Sequence, residues 1–183
     1  SARSAIAAGA DWLAVARTCE GAVLRRAGIE APILVLGASG DHEIAQGVEN
    51  DLTLAVCNPD RLLRLQKEAE RLNRTARIHI KLDTGMGRIG VRTEAEIKTL
   101  LAVLAECPNV TLTGAFTHFA DADGEDDVYT RRQLARFREL LNCLPEGIIR
   151  HCANSAAIHR YPEAAMDMVR AGISMYGCPP VRT

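Results

Sequence analysis

Arg88 lies in the run KLDTGMGRIG, Lys81 to Gly90, where glycines crowd a guanidinium that stays charged at any physiological pH. A charge fixed in that way suits a carboxylate or a phenolate, and the plainer alternative is a surface salt bridge. The chain has three lysines, and Lys67 and Lys98 fall on expected helix surfaces. Lys81 is therefore the sole candidate for amine chemistry in this region. An inward-facing ammonium must be paired, modified or deprotonated, because desolvation works against its charged form. Further on, THFADAD contributes His118, which either stacks on a flat ring or satisfies a core hydrogen bond. HCANSAA contributes Asn154 and Ser155, and RAGISMYG contributes Arg170, Gly172 and Ile173. A serine hydroxyl beside backbone N–H groups at Gly172 and Ile173 suits a phosphorylated ligand. The simpler reading makes Asn154-Ser155 a helix cap and Gly172 a bend. His42, His79, His151 and His159 have no ligand-like spacing, so no metal site is expected.

Short apolar runs alternate with longer amphipathic segments, which is the pattern of βαβ units in a parallel sheet. Seven strands are expected: Asp11 to Ala16, Ile33 to Gly37, Leu52 to Val56, Arg77 to Asp83, Thr111 to Phe119, Gly147 to Asn154 and Met168 to Ile173. Helices are expected over Cys19 to Ala27, over Pro59 to Asn73 opening at Asn58, over Glu94 to Glu106 capped by Thr93, and over Asp126 to Leu144. The charges of EDDVYTRRQLARFREL read as the solvated face of that last helix. In RIHIKLD, Arg77, His79, Lys81 and Asp83 alternate with Ile78, Ile80 and Leu82. A doubly wound sheet buries both strand faces under helices, whereas a barrel strand can carry polar groups towards a ligand. The alternation favours an α/β fold of the (β/α)8 TIM-type barrel, incomplete, with about seven of eight strands. An edge strand with one wet face is the alternative. In a barrel the site lies at the C-terminal strand ends, where all the residues singled out above fall.

The 183 residues are 48% hydrophobic, enough for a real core within a single domain. A net charge of −1 gives no footprint for nucleic acid, and no apolar run reaches the roughly 18 residues of a membrane span. Six scattered cysteines without a C-x-x-C pair point to reduced thiols in a cytosolic protein. The opening SARSAIAAGADWLAVA reads as a helix tail entering a strand, and MYGCPPVRT ends in a proline-rich connector. A fragment at both ends is expected.

KLDTGMGRIG, THFADAD, HCANSAA and RAGISMYG, in that order, resemble the successive signatures of the alanine racemase family, pyridoxal-phosphate enzymes of bacterial cell-wall synthesis. GADWLAVA and EGAVLRRAGIEAPILVLG are similar to the family's earlier segments, so the likeness runs through nearly the whole chain. It implies that residues 1–183 are part of the N-terminal barrel, with the first strand missing and without the C-terminal β domain. It further implies pyridoxal 5'-phosphate as cofactor, alanine as small-molecule substrate, a cytoplasmic homodimeric parent, and no nucleic-acid or membrane partner. Residue by residue, the resemblance places Arg88 near the cofactor's phenolic oxygen and the substrate carboxylate. Lys81 becomes a carbamylated lysine that steadies Arg88. His118 lies against the cofactor, Asn154 lines the pocket, and Ser155, Gly172 and Ile173 hold the phosphate. Arg170 faces the pyridine nitrogen and disfavours its protonation. The family's Schiff-base lysine belongs to the first barrel strand and its tyrosine base to the β domain across a dimer interface. Neither is expected in this chain, since Tyr129, Tyr161 and Tyr176 lie in other contexts, so the fragment alone is expected to be inactive. A serine racemase of a glycopeptide-resistance system and a non-catalytic pyridoxal-phosphate-binding barrel are the alternatives.

Overall fold

The strands form where β-branched and apolar residues cluster, and in a computed structural model that describes residues 1–38 and 40–181 there are six. They are β1 (Leu13–Val15), β2 (Ile33–Val35), β3 (Thr53–Val56), β4 (Ala76–Lys81), β5 (Val110–Phe116) and β6 (Ile149–His151). Helices α1 (Ala2–Ala7), α2 (Thr18–Arg26), α3 (Asp41–Glu49), α4 (Pro59–Arg71), α5 (Glu94–Ala105), α6 (Val128–Leu141) and α7 (Ser155–Arg160) alternate with them. The sheet order follows the chain order, β1 to β6, and the registers of β1 on β2, β2 on β3 and β5 on β6 are parallel.

Two compact units are present. One holds Ser1–His79 with Thr99–Thr113, and the other holds Ile80–Lys98 with Gly114 onward. In the first, β2 and β3 are buried at every residue, as strands covered on both faces must be. Helix α4 begins where Asn58 accepts a hydrogen bond from the Arg61 N–H and Pro59 fills the first helical position. Its Leu62, Leu65 and Ala69 recur at helical spacing and are fully buried. In the second unit, Leu82 N–H donates to Phe116 O at 2.8 Å, and Gly114, Ala115 and Phe116 pair with Ile149, Arg150 and His151. No helix of the described residues is long and apolar enough to cross a membrane.

One expectation changes. The seventh strand, over Met168 to Ile173, does not form. Asp167 N–H donates to Arg150 O and Arg170 N–H to Ala153 O, so the contacts recur every three residues, whereas a parallel ladder needs them every two. The segment leads into a short 3-10 turn, Ile173–Tyr176. The alternative of a wet face on β4 does not hold: His79 is 0% exposed, Lys81 3% and Asp83 5%, and of the stripe only Arg77 near the start of the strand is partly exposed. Helix α3 has no counterpart among the expected helices. Of the proline-rich connector, the last two residues lie outside the described part.

Candidate functional site

The polar stripe of β4 runs into a loop that turns back on its own strand. Val91 N–H donates to Lys81 O at 3.0 Å, and Asp83 N–H donates to Val91 O at 2.8 Å. The loop is therefore tied at both ends, and Asp83 fills its centre. The carboxylate accepts from Gly85 N–H and Gly87 N–H at 3.1 and 3.0 Å, and from Arg92 Nε at 3.0 Å. Burial pushes the Asp83 carboxyl up, but the Gly87 and Gly85 donors and Arg92 outweigh it and hold it below the usual carboxylate range. Gly85 and Gly90 make the tight return, with φ of +139° and +135° that side chains rarely adopt. Arg88 stands exposed on this loop.

Behind the loop, Lys81 Nζ sits over the Phe116 ring, 4.7 Å from its centroid. His151 stacks on the same ring at 4.9 Å, with the planes 5° apart, and the Arg170 guanidinium lies 5.5 Å from the centroid. The electron-rich face of the ring offers both cations partial compensation for lost water.

Arg170 is the centre of the polar contacts. Its Nη1 donates to His151 Nδ1 at 2.8 Å, and its Nη2 to Thr117 O at 2.8 Å and Cys152 O at 3.1 Å, with His118 Nδ1 at 3.4 Å. A guanidinium has no acceptor, so both histidine Nδ1 atoms are unprotonated acceptors and any ring proton of neutral His118 sits on Nε2. Burial lowers His118 to about 4, and the positive charges of Arg170, Lys81 and Arg88 push in the same direction. Burial pulls Arg170 itself down to about 10, which leaves it cationic at neutral pH.

Two residues beyond Arg170, the chain meets the first residue of α7. Ser155 Oγ accepts from Gly172 N–H at 2.8 Å and from Ser174 N–H at 3.3 Å. The Gly172 N–H expected to face a ligand is thus already used, and the Ser155 hydroxyl proton is left to donate. Asn154 caps α7 through its side-chain oxygen, which takes the Ala157 N–H at 3.0 Å. Ile173 is 54% exposed.

The structure therefore brings together His118, Arg170, Lys81 and the charge of Arg88, with the Ser155–Gly172 pair two residues from Arg170. Sequence reasoning missed His151, Asp83 and Thr117. His151 carries a signal, since it heads HCANSAA at a strand end, and metal-ligand spacing is the wrong test for it. Asp83 shows in the sequence only as part of the charged stripe.

A parallel run of βα units with a buried cationic and imidazole cluster at consecutive strand ends fits an incomplete (β/α)8 barrel, the architecture whose sites lie at the C-terminal rim. The family model described as "Alanine racemase, N-terminal domain" matches residues 1–180. Alanine racemase of Methanococcus maripaludis is 46% identical over 94% of this chain and 47% of its own length, and alanine racemase 1 of Oceanobacillus iheyensis is 44% identical over 98% and 49%. The crystal structure of alanine racemase from Bacillus anthracis with bound L-Ala-P superposes with a TM-score of 0.91 at 43% identity, covering 98% of this chain and 47% of that one. Alanine racemase from Clostridium difficile 630 in complex with cycloserine gives 0.91 at 35% identity, covering 96% and 49%. The chain belongs to the alanine racemase family. It spans about half the length of the relatives it matches.

Proposed function

We propose that this chain is the cofactor-binding part of a cytoplasmic homodimeric protein that interconverts L- and D-alanine with pyridoxal 5'-phosphate, supplying D-alanine for peptidoglycan. The observation that carries the reading is the anchorage of Arg170. It is held by two carbonyls and two histidine nitrogens beside a pair of serines with unspent donor capacity. Family membership and the names of the relatives support the same substrate.

The residues present fit the cofactor. The Ser155 hydroxyl retains its proton for donation, and the neighbouring Ser174 Oγ is buried without a hydrogen-bond partner among the described residues. Two hydroxyls and a side-chain-free Gly172 match a phosphate, whose oxygens accept only. Asn154 keeps its amide hydrogens for the pocket, and Ile173 opens the turn where an N–H lacks a carbonyl of its own turn. Bound there, pyridoxal phosphate supplies the electron sink that acidifies the Cα–H of an amino acid.

Arg170 presents donors alone, so a ring nitrogen beside it stays unprotonated, which restrains the sink and suits reversible proton transfer. His118 remains neutral down to about pH 4 and can lie flat against a ring without adding charge. Arg88 offers its guanidinium to a carboxylate or phenolate. Carbamylation would convert Lys81 into an anion, able to steady Arg88 electrostatically.

The test uses the intact protein loaded with pyridoxal phosphate and given L-alanine in heavy water. D-Alanine carrying deuterium at Cα is expected, and none from the 183-residue chain alone. Cofactor binding without Cα exchange would overturn the racemase reading in favour of a carrier, and faster turnover of L-serine would move it to a serine racemase.

A further inference from the structure

Helix α6 carries a buried amide at Gln133, 1% exposed, in a stretch whose pattern suggested a solvated face. Its Oε1 accepts from Ala120 N–H at 2.9 Å. Its Nε2 donates to His118 O at 3.2 Å and reaches Thr84 Oγ1 at 3.4 Å, and Thr84 Oγ1 in turn lies 2.8 Å from Thr117 Oγ1. The orientation of the amide is settled by its neighbours. Turned over, its NH2 would face an N–H and its carbonyl would face a carbonyl. Four residues earlier on the same helix, Tyr129 Oη donates to Gly85 O at 2.7 Å. Helix α6 thus grips the loop after β4 at two successive residues, Thr84 and Gly85, while the same amide holds the backbone after β5.

We propose that Gln133 is a positioning residue that sets the Arg88 loop against His118, so that a helix outside the site fixes the spacing of two groups within it. The inference rests on the racemase reading for its functional consequence but not for its geometry. Leucine or methionine offers neither a donor nor an acceptor here, and glutamate keeps only the acceptor. A buried polar brace left half satisfied is costly, so the two loops are expected to shift when either half is removed.

The experiment takes the intact protein with Gln133→Met, Gln133→Glu and Thr84→Val, the last removing one end of the brace while leaving α6 untouched. Trypsin cleavage after Arg88 should accelerate in each variant, in the absence as well as the presence of pyridoxal phosphate. With cofactor, Gln133→Met should lower kcat/KM by roughly tenfold to a hundredfold, the scale of a misplaced site, and weaken cofactor binding measured by fluorescence. Gln133→Glu should regain activity relative to wild type as pH falls from about 8 towards about 6, because a buried carboxyl gains a proton and with it a donor for His118 O. Unchanged cleavage after Arg88 in both Gln133→Met and Thr84→Val overturns the proposal, as does wild-type cofactor affinity with wild-type kcat/KM in Gln133→Met. If Gln133→Met does not fold, Thr84→Val decides by the same two measurements. A wild-type protein that neither binds the cofactor nor racemises alanine sinks the racemase reading alone, and the protease result still decides the role of Gln133.

Discussion

Arg170 donates to two imidazoles, and the consequence falls on their protonation. An unfolded histidine takes up a proton near its ordinary 6.5, but His118 in place holds off until about 4, first because it is buried and then because Arg170, Lys81 and Arg88 repel a second charge. The sign follows from proton counting: between about 6.5 and about 4 the unfolded chain binds a proton that the folded chain does not. The contribution of His118 to stability is therefore full above the unfolded value and is lost as pH falls through that window. Arg170→Gln removes the nearest positive charge and leaves the burial. We predict that the His118 midpoint rises above 4 yet stays below 6.5, read from the imidazole carbon-bound proton in an NMR titration. The acid loss of stability in the same window should flatten. An unmoved midpoint would mean that burial alone sets it and that the guanidinium is too well screened to matter.

At the scale of an element, the loop after β4 works because its return passes against its own departure. A Cβ placed on Gly90 would lie 2.5 Å from Asp83 N and 2.8 Å from Leu82 C, both backbone atoms that cannot swing aside, and φ there is +135°. Gly90→Ala therefore combines a steric clash with backbone strain of about 1–3 kcal/mol. The bridge from Leu82 to Val91 should open, freeing Arg92 from Asp83. The expected result is a lower melting temperature for the intact protein and faster tryptic cleavage between Gly85 and Arg92, and a melt superimposable on wild type would remove this account. How much of the arrangement could be read beforehand depended on the kind of signal. The glycine spacing and the strict alternation of β4 announced a turn at a strand end, and the caps at Asn58 and Thr93 marked the starts of α4 and α5 where they occur. Helix α3 has no such marker, since it spans nine residues and opens at Gly40, which has no side chain to cap it. The last expected strand failed because Met168 to Ile173 has strand-like composition, whereas its hydrogen bonds are set by where Arg150 and Ala153 offer carbonyls. The motif residues carried local signals, and His151 shared one as the first residue of HCANSAA, while Gln133 gains its role from a partner 15 residues away, which no local pattern encodes.

At the scale of the whole molecule, the sheet order among the described residues begins at β1, which pairs with β2 on one side. Leu13 N–H donates to Pro32 O and Val15 O accepts from Leu36 N–H, so the residues on either side of Ala14 supply the bonds to β2. In a parallel strand the intervening residue directs its N–H and C=O the other way, so the Ala14 groups face the open side. An unpaired strand edge is a template for another chain, and β1 carries no charge to discourage one. The 183-residue chain studied alone should therefore self-associate as its concentration rises, visible as a rising mean mass in sedimentation. Ala14→Pro removes the outward N–H while leaving the donor at Leu13 and the acceptor at Val15 in place, so it should suppress that association without changing the far-ultraviolet spectrum. Association that persists unchanged in Ala14→Pro would place the sticking surface elsewhere, with the exposed Val169, Ile173, Met175 and Tyr176 as the next surface to charge. A chain that stays monomeric at every concentration would show that three residues of open ladder are too few to recruit a partner strand.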